Sequence, residues 1–308
     1  MRAKLLLPAL AAALLGLAAC DFEDLGGFER YQKDFHYSYP LKSGGRLAVE
    51  TFNGSVEVSG WDQETVDISG TKYSRSPEAA DSLKISIDNS PDSVSIRVIR
   101  PSERPSNTGA RFVIKIPRAA NLDRITTSNG AIRALDGSGP ARLRTSNGLI
   151  RVQGLRGSLD AQTSNGAVEL LDIDGDARAH TSNGHVHTEG LRGSLEAITS
   201  NGGIDARLAR ADRSVHLESS NGHVELTLPA NSTSEVRAST SNSGITLHLP
   251  YQVNARLSAR TSNGSVSSDF ELRMQGEFSK NRMEGTIGNG GPLIDLSTSN
   301  GSIRLLKM

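Results

Sequence analysis

The chain has 308 residues, with 34 Lys plus Arg set against 34 Asp plus Glu, 4% aromatic residues and a single Cys. A balance of zero gives no footing for an electrostatic nucleic-acid binder or a polybasic membrane patch. One Cys leaves no intrachain disulfide, so a stable fold must rest on hydrogen-bonded ladders and packing.

In chain order, residues 1–19 come first. Two positive charges, Arg2 and Lys4, precede an apolar run from Leu5 to Ala19. The run is too short to span a membrane as a helix and has the form of a secretory signal. It ends Leu17-Ala18-Ala19-Cys20, which resembles the lipobox of bacterial lipoproteins. That likeness implies cleavage before Cys20, lipid attached to it, and a protein anchored at the bacterial cell envelope, periplasmic or outward-facing. Removing Arg2 and Lys4 leaves 32 basic and 34 acidic residues, a net charge of −2.

Residues 20–45 then read as a lipid-anchored tether whose aromatics, among them Phe35 and Tyr39, could cover the first coil of a stack. Residues 46–121 read as an irregular β section capping that stack. Its strands are expected at 47–58, 65–72, 83–88, 93–99 and 111–116. A short helix is expected at 77–84, with Ser76 as N-cap and Pro77 in the first turn.

From residue 122 a repeat takes over. Thr-Ser-Asn-Gly or a close variant places Asn129, Asn147, Asn165, Asn183, Asn201, Asn221, Asn242, Asn263 and Asn300, at first every 18 residues and then every 20 or 21. An isolated copy holds Asn53. Three residues after each Asn stands a β-branched apolar residue, as in Ile132, Ile150, Val168 and Val186. Two further on comes Ala134, Val152, Leu170 or Thr188, with a polar residue between. The same alternation runs backward from the corner, where Asp123 is an exception. Period-two alternation means a strand with one buried face on each side of an Asn-Gly corner. A second corner closes each unit, as in Gly154-Leu155-Arg156-Gly157. A two-stranded unit cannot bury its apolar face alone, whereas identical units at a fixed period can stack.

The spacing therefore predicts an all-β parallel β-solenoid of roughly ten coils, each 18–21 residues. Antiparallel hairpins, which Asn-Gly also signals, would not need one register in nine units. Asn and Gly are expected at the corner for their tolerance of left-handed backbone angles. The Asn side chains are expected to hydrogen-bond along the axis, and the preceding Thr to be buried with its hydroxyl bonded at the turn. Residues 269–291 break the period as an insertion. Residues 292–308 return to one last coil, whose apolar edge, Ile303 to Leu306, the insertion could cover.

The lipoprotein-like leader, the Thr-Ser-Asn-Gly units and the closing Gly288-Asn289-Gly290-Gly291 and Thr298-Ser299-Asn300-Gly301-Ser302-Ile303 resemble a bacterial family of β-strand-repeat proteins. Its members are catalogued as candidate adhesins of unassigned function. The resemblance spans most of residues 46–308. It implies a parallel β-helix at the cell envelope and brings no catalytic residues with it.

Six of the seven His lie between residues 180 and 248. By parity His185 and His187 face outward together, and His223 takes the slot of His185 two coils later. These three are candidate metal ligands or a pH-sensitive patch. Solvated surface residues are the preferred reading, because no Cys, Asp or Glu completes a ligand set at a recognisable spacing. Asp172, Asp174 and Asp176 have a calcium-like spacing but lack the later Glu of an EF-hand. Outward carboxylates mix with basic residues without clustering, and no cofactor motif or nucleophile elbow appears. No Phe, Trp or Tyr lies between Phe112 and Tyr251, so the ladder offers no stacking platform for sugars. The reading reached is a non-catalytic envelope lipoprotein with a rigid interaction or adhesion surface, without cofactor, meeting a protein or polysaccharide partner. The alternatives are a carbohydrate-active envelope protein and a scaffold or sensor partner in envelope stress signalling.

Overall fold

The computed structural model describes residues 31–100, 107–274 and 279–308. The signal segment, Cys20 and the first part of the expected tether lie outside the described residues. Strands follow the alternation of the sequence, and each closes against its counterpart in the next unit. Ile150 pairs with Val168, Val168 with Val186, Val186 with Ile204 and Ile204 with Val224, all in parallel. On the other side of the coil Leu159 pairs with Ala177, Ala177 with Leu195 and Leu195 with Val215. The described strands form one sheet of 13 and one of 14, facing each other. The fold is a β-solenoid with two parallel-rich sheets.

The interior is a set of columns. Ile132, Ile150, Val168, Val186 and Ile204 are fully buried along one sheet, and Leu143, Ala161, Ala179, Ala197 and Leu217 along the other. Leu155, Ile173 and Leu191 close the second corner from within. Asp123, the exception to the pattern, is exposed. The register shifts between Leu122 and Ile125, and this bulge turns Leu122 inward instead.

The ends depart from the regular stack. The helix runs Pro77–Ser82, with Ser76 Oγ accepting from the Ala79 N–H at 3.2 Å. Residues 31–40, expected to lie in the tether, form strand Tyr31–Pro40, paired antiparallel with Thr65–Ser74. There Phe35 packs edge-on to Phe112 at 5.4 Å, so this segment does cover the first coils.

The expected stacking order of the coils changes at both ends. The coil Arg46–Glu50 and Val56–Trp61 is not outermost. It lies between Ser93–Ile99 and Gly109–Pro117 on one side and the start of the regular ladder on the other. Likewise Leu293–Thr298 and Ile303–Lys307 do not end the stack. They thread between the coil of residues 236–249 and that of residues 255–268. Ile303 pairs with Ile245 on one side and Val266 on the other, so the expected open edge does not exist. Strands with neighbours on both sides satisfy every ladder donor and acceptor, which a terminal strand cannot do. The insertion caps the end beyond, with Arg282–Ile287 antiparallel to Ala255–Thr261 and to Leu272–Met274.

Candidate functional site

At the Asn-Gly corner the side chains form continuous ladders. Asn147 Nδ2 donates to Asn129 Oδ1 at 2.6 Å, Asn165 to Asn147 at 2.6 Å, Asn183 to Asn165 at 2.7 Å and Asn201 to Asn183 at 2.7 Å. The series continues through Asn221 and Asn242 to Asn300 and then Asn263, at 2.7 to 2.8 Å, and begins at Asn53. Its order in space thus records the swapped last coil. Beneath it runs a buried Thr column. Thr163 Oγ1 donates to the Gly148 carbonyl at 3.0 Å and accepts from the Gly166 N–H at 3.3 Å.

The expected reason for glycine at this corner is overturned in the regular coils. Positive φ among the corner glycines is confined to Gly54, in the isolated copy. Gly148, Gly166, Gly184 and Gly202 are needed because the chain above is too close. A Cβ on Gly166 would lie 1.8 Å from the carbonyl oxygen of Gly148, and one on Gly184 1.7 Å from that of Gly166. The left-handed conformation belongs to the second corner, where Asp136, Gly154, Asp172 and Gly190 occupy equivalent positions with φ of 54°, 69°, 53° and 77°.

The outward faces carry ion pairs between successive coils. Arg151 meets Glu169 at 2.9 Å, Arg178 meets Glu196 at 3.1 Å and His248 meets Glu225 at 3.1 Å. The three aspartates with calcium-like spacing do not converge. Asp172 stands at the left-handed corner, and Asp176 accepts from the Ser194 N–H at 3.0 Å and from Arg213 at 3.1 Å. Those bonds, the Ser194 contact foremost, hold the Asp176 carboxyl below the usual range. Arg118 does the same to Asp62, and Lys33 to Asp81. Downward shifts of this kind suit permanently ionised carboxylates, not a general acid.

The His cluster is where the sequence-based expectation changes. His180 belongs to the other sheet, 3.7 Å from Glu196, and leaves the group. His216 lies 3.6 Å from Glu218, also on that sheet. His185, His187 and Asp205 converge, their ligand atoms all within 4.8 Å of one another. The missing acidic residue is therefore Asp205, which the parallel register sets directly against His187. It was hidden because its partners lie 18 and 20 residues before it, a spacing that no linear ligand motif uses. Both its oxygens are engaged. His185 Nε2 lies 2.9 Å from Oδ2, and His223 Nε2 lies 2.9 Å from Oδ1. Gly203 occupies the slot between the two histidines, and a Cβ there would stand 2.4 Å from His223 Cε1. Its missing side chain lets the rings of His185 and His223 approach to 6.0 Å.

The model of the family described as Toastrack DUF4097 matches residues 56–256. No curated protein matches the chain. Among solved structures it is similar to a candidate cell adhesion protein from Clostridium sporogenes, at 12% identity and TM-score 0.25, covering 90% of this chain and 100% of that one. A candidate adhesin from Bacteroides fragilis matches at 13% identity and TM-score 0.41, covering 89% and 97%. A candidate lipid binding protein from Parabacteroides distasonis matches at 11% identity and TM-score 0.39, covering 89% and 96%.

Proposed function

The chain belongs to the Toastrack DUF4097 family, and from that premise we propose that it is a non-catalytic surface protein of the bacterial cell envelope, lipid-anchored through Cys20, that presents a rigid adhesion or interaction face. One observation carries this reading. Charged side chains run along two long faces, largely as opposite-sign pairs between successive coils. Thirteen strands at about 4.8 Å make a face roughly 58 Å long. The groove over Arg142, Asp160, Arg178 and Glu196 has a volume of about 720 Å³, and in it Asp160 pairs with Arg142 and Glu196 with Arg178. A face of this kind binds by many weak contacts whose effects multiply.

Among the described residues no helix is long and apolar enough to cross a membrane. Membrane association would then rest on the lipid at Cys20. Replacement Cys20→Ser moves the protein into the soluble fraction of lysed cells; retention in washed membranes would overturn the anchor. Photo-crosslinkers at Arg133 and Gln153, both outward on the ladder, trap a discrete envelope partner on intact cells, and the yield falls as salt screens the face. Absence of any crosslinked product from either position would overturn the interaction face.

A further inference from the structure

The geometry points to a binding site for one zinc-class divalent cation, which we propose is held by His185, His187, Asp205 and His223 across the coils of Asn183, Asn201 and Asn221. The site is independent of adhesion and of the anchor. Four observations converge on it. Parallel pairing places His187 against Asp205 with no freedom of register. The ligand atoms of His185, His187 and Asp205 stand within 4.8 Å of one another. Asp205 already holds an imidazole on each of its oxygens at 2.9 Å, so His223 stands beside the three converging residues as the fourth donor. Gly203 leaves open the space between the two rings, where a Cβ would push the His223 ring from its place beside Asp205.

The donor set selects the ion. Three imidazoles and one carboxylate match the borderline character and four-coordinate preference of zinc. Calcium and magnesium require a shell of oxygens that this group does not provide. Tetrahedral ligation at about 2.0–2.1 Å brings neighbouring donors to about 3.3 Å apart. All four residues stand on or beside strands of one sheet, so closing to that distance calls on their side chains and not on the ladder. Glu225 follows Asp205 in its column and Glu189 lies 3.9 Å from His187, although Arg207 at 3.8 Å offsets Glu189. A bound ion would clamp three coils of the ladder and stabilise the folded state by mass action.

The test is zinc(II) titration of the full chain carrying Cys20→Ser, which removes the only thiol. Equilibrium dialysis is expected to give one zinc per chain with half-saturation below about 10 μM, and the melting temperature rises with zinc. His187→Ala, His223→Ala and Asp205→Asn each weaken binding by about tenfold or more. His36→Ala and His216→Ala, which alter histidines elsewhere, leave it unchanged. Cobalt(II) in place of zinc gives the intense visible bands of a tetrahedral nitrogen–oxygen site. The proposal fails if saturable binding is missing below about 100 μM, or if the three site variants bind as tightly as the parent. Should a variant lose its fold, the cobalt spectrum of the parent decides, and a weak octahedral spectrum overturns the site.

Discussion

The two corners of each coil reverse the chain with opposite chemistry. At the Asn-Gly corner every unit is nearly identical, and the constraint is closeness. Gly166 sits so near Gly148 that a methyl group has nowhere to go, while Thr163 ties its own turn to the coil before and Asn165 bonds along the stack. At the second corner the units differ. Gly157 and Gly175 there also lie close to the neighbouring coil, but the position four residues after each strand begins is set by local backbone angle. Asp136 and Asp172 take the left-handed conformation as Gly154 and Gly190 do. A corner that contacts its copies above and below must repeat without variation. A position that need only turn can vary in residue type, as Asp136, Gly154, Asp172 and Gly190 do.

Gly166→Ala is the severest way to break this comparison. The added carbon would lie 1.8 Å from a backbone oxygen held by ladders on both sides, and neither can yield. A loss above about 3 kcal/mol is expected, read from urea denaturation. Thr163→Val keeps the volume but leaves the Gly148 carbonyl and the Gly166 N–H without their shared hydroxyl. The expected loss is about 2 kcal/mol by the same measurement. Gly154→Ala, at the other corner, is expected to cost only about 1 kcal/mol. It meets strain at φ 69°, but the atom in the way is the tip of the Asp136 side chain, 2.8 Å distant and able to swing aside. If the two glycine substitutions cost the same, the distinction between the corners is wrong.

The smallest effect concerns pH. Asp176 is held below its ordinary range in the folded state, chiefly by the Ser194 N–H. Its stabilisation is therefore complete above the ordinary carboxylate range and is lost as pH falls through the folded value. About half of the Asp176 side chain is exposed, so the contribution is at most about 0.5 kcal/mol. Unfolding midpoints between pH 2 and pH 5 should fall more steeply for the parent than for Asp176→Asn; parallel curves would show that the contact carries nothing.

The sequence by itself determined the stack. Period-two alternation fixed which residues face inward, and the constant offset of Ile150, Val168 and Val186 from their Asn fixed the parallel register, because no other register buries every column at once. The Thr column and the Asn ladder were legible for the same reason. Three matters were decided only in three dimensions. Glycine at the regular Asn-Gly corner answers to interstrand distance, and no linear pattern separates that need from a need for positive φ. Asp205 joins the histidines because the solenoid brings residues 18 and 20 apart into contact, so a ligand set scattered over coils looks like ordinary surface until the coil is closed. The first and last coils each move one place inward because the hydrophobic pattern records which side chains are buried, not which neighbouring coil buries them, and a strand paired on both sides leaves none of its backbone groups unbonded.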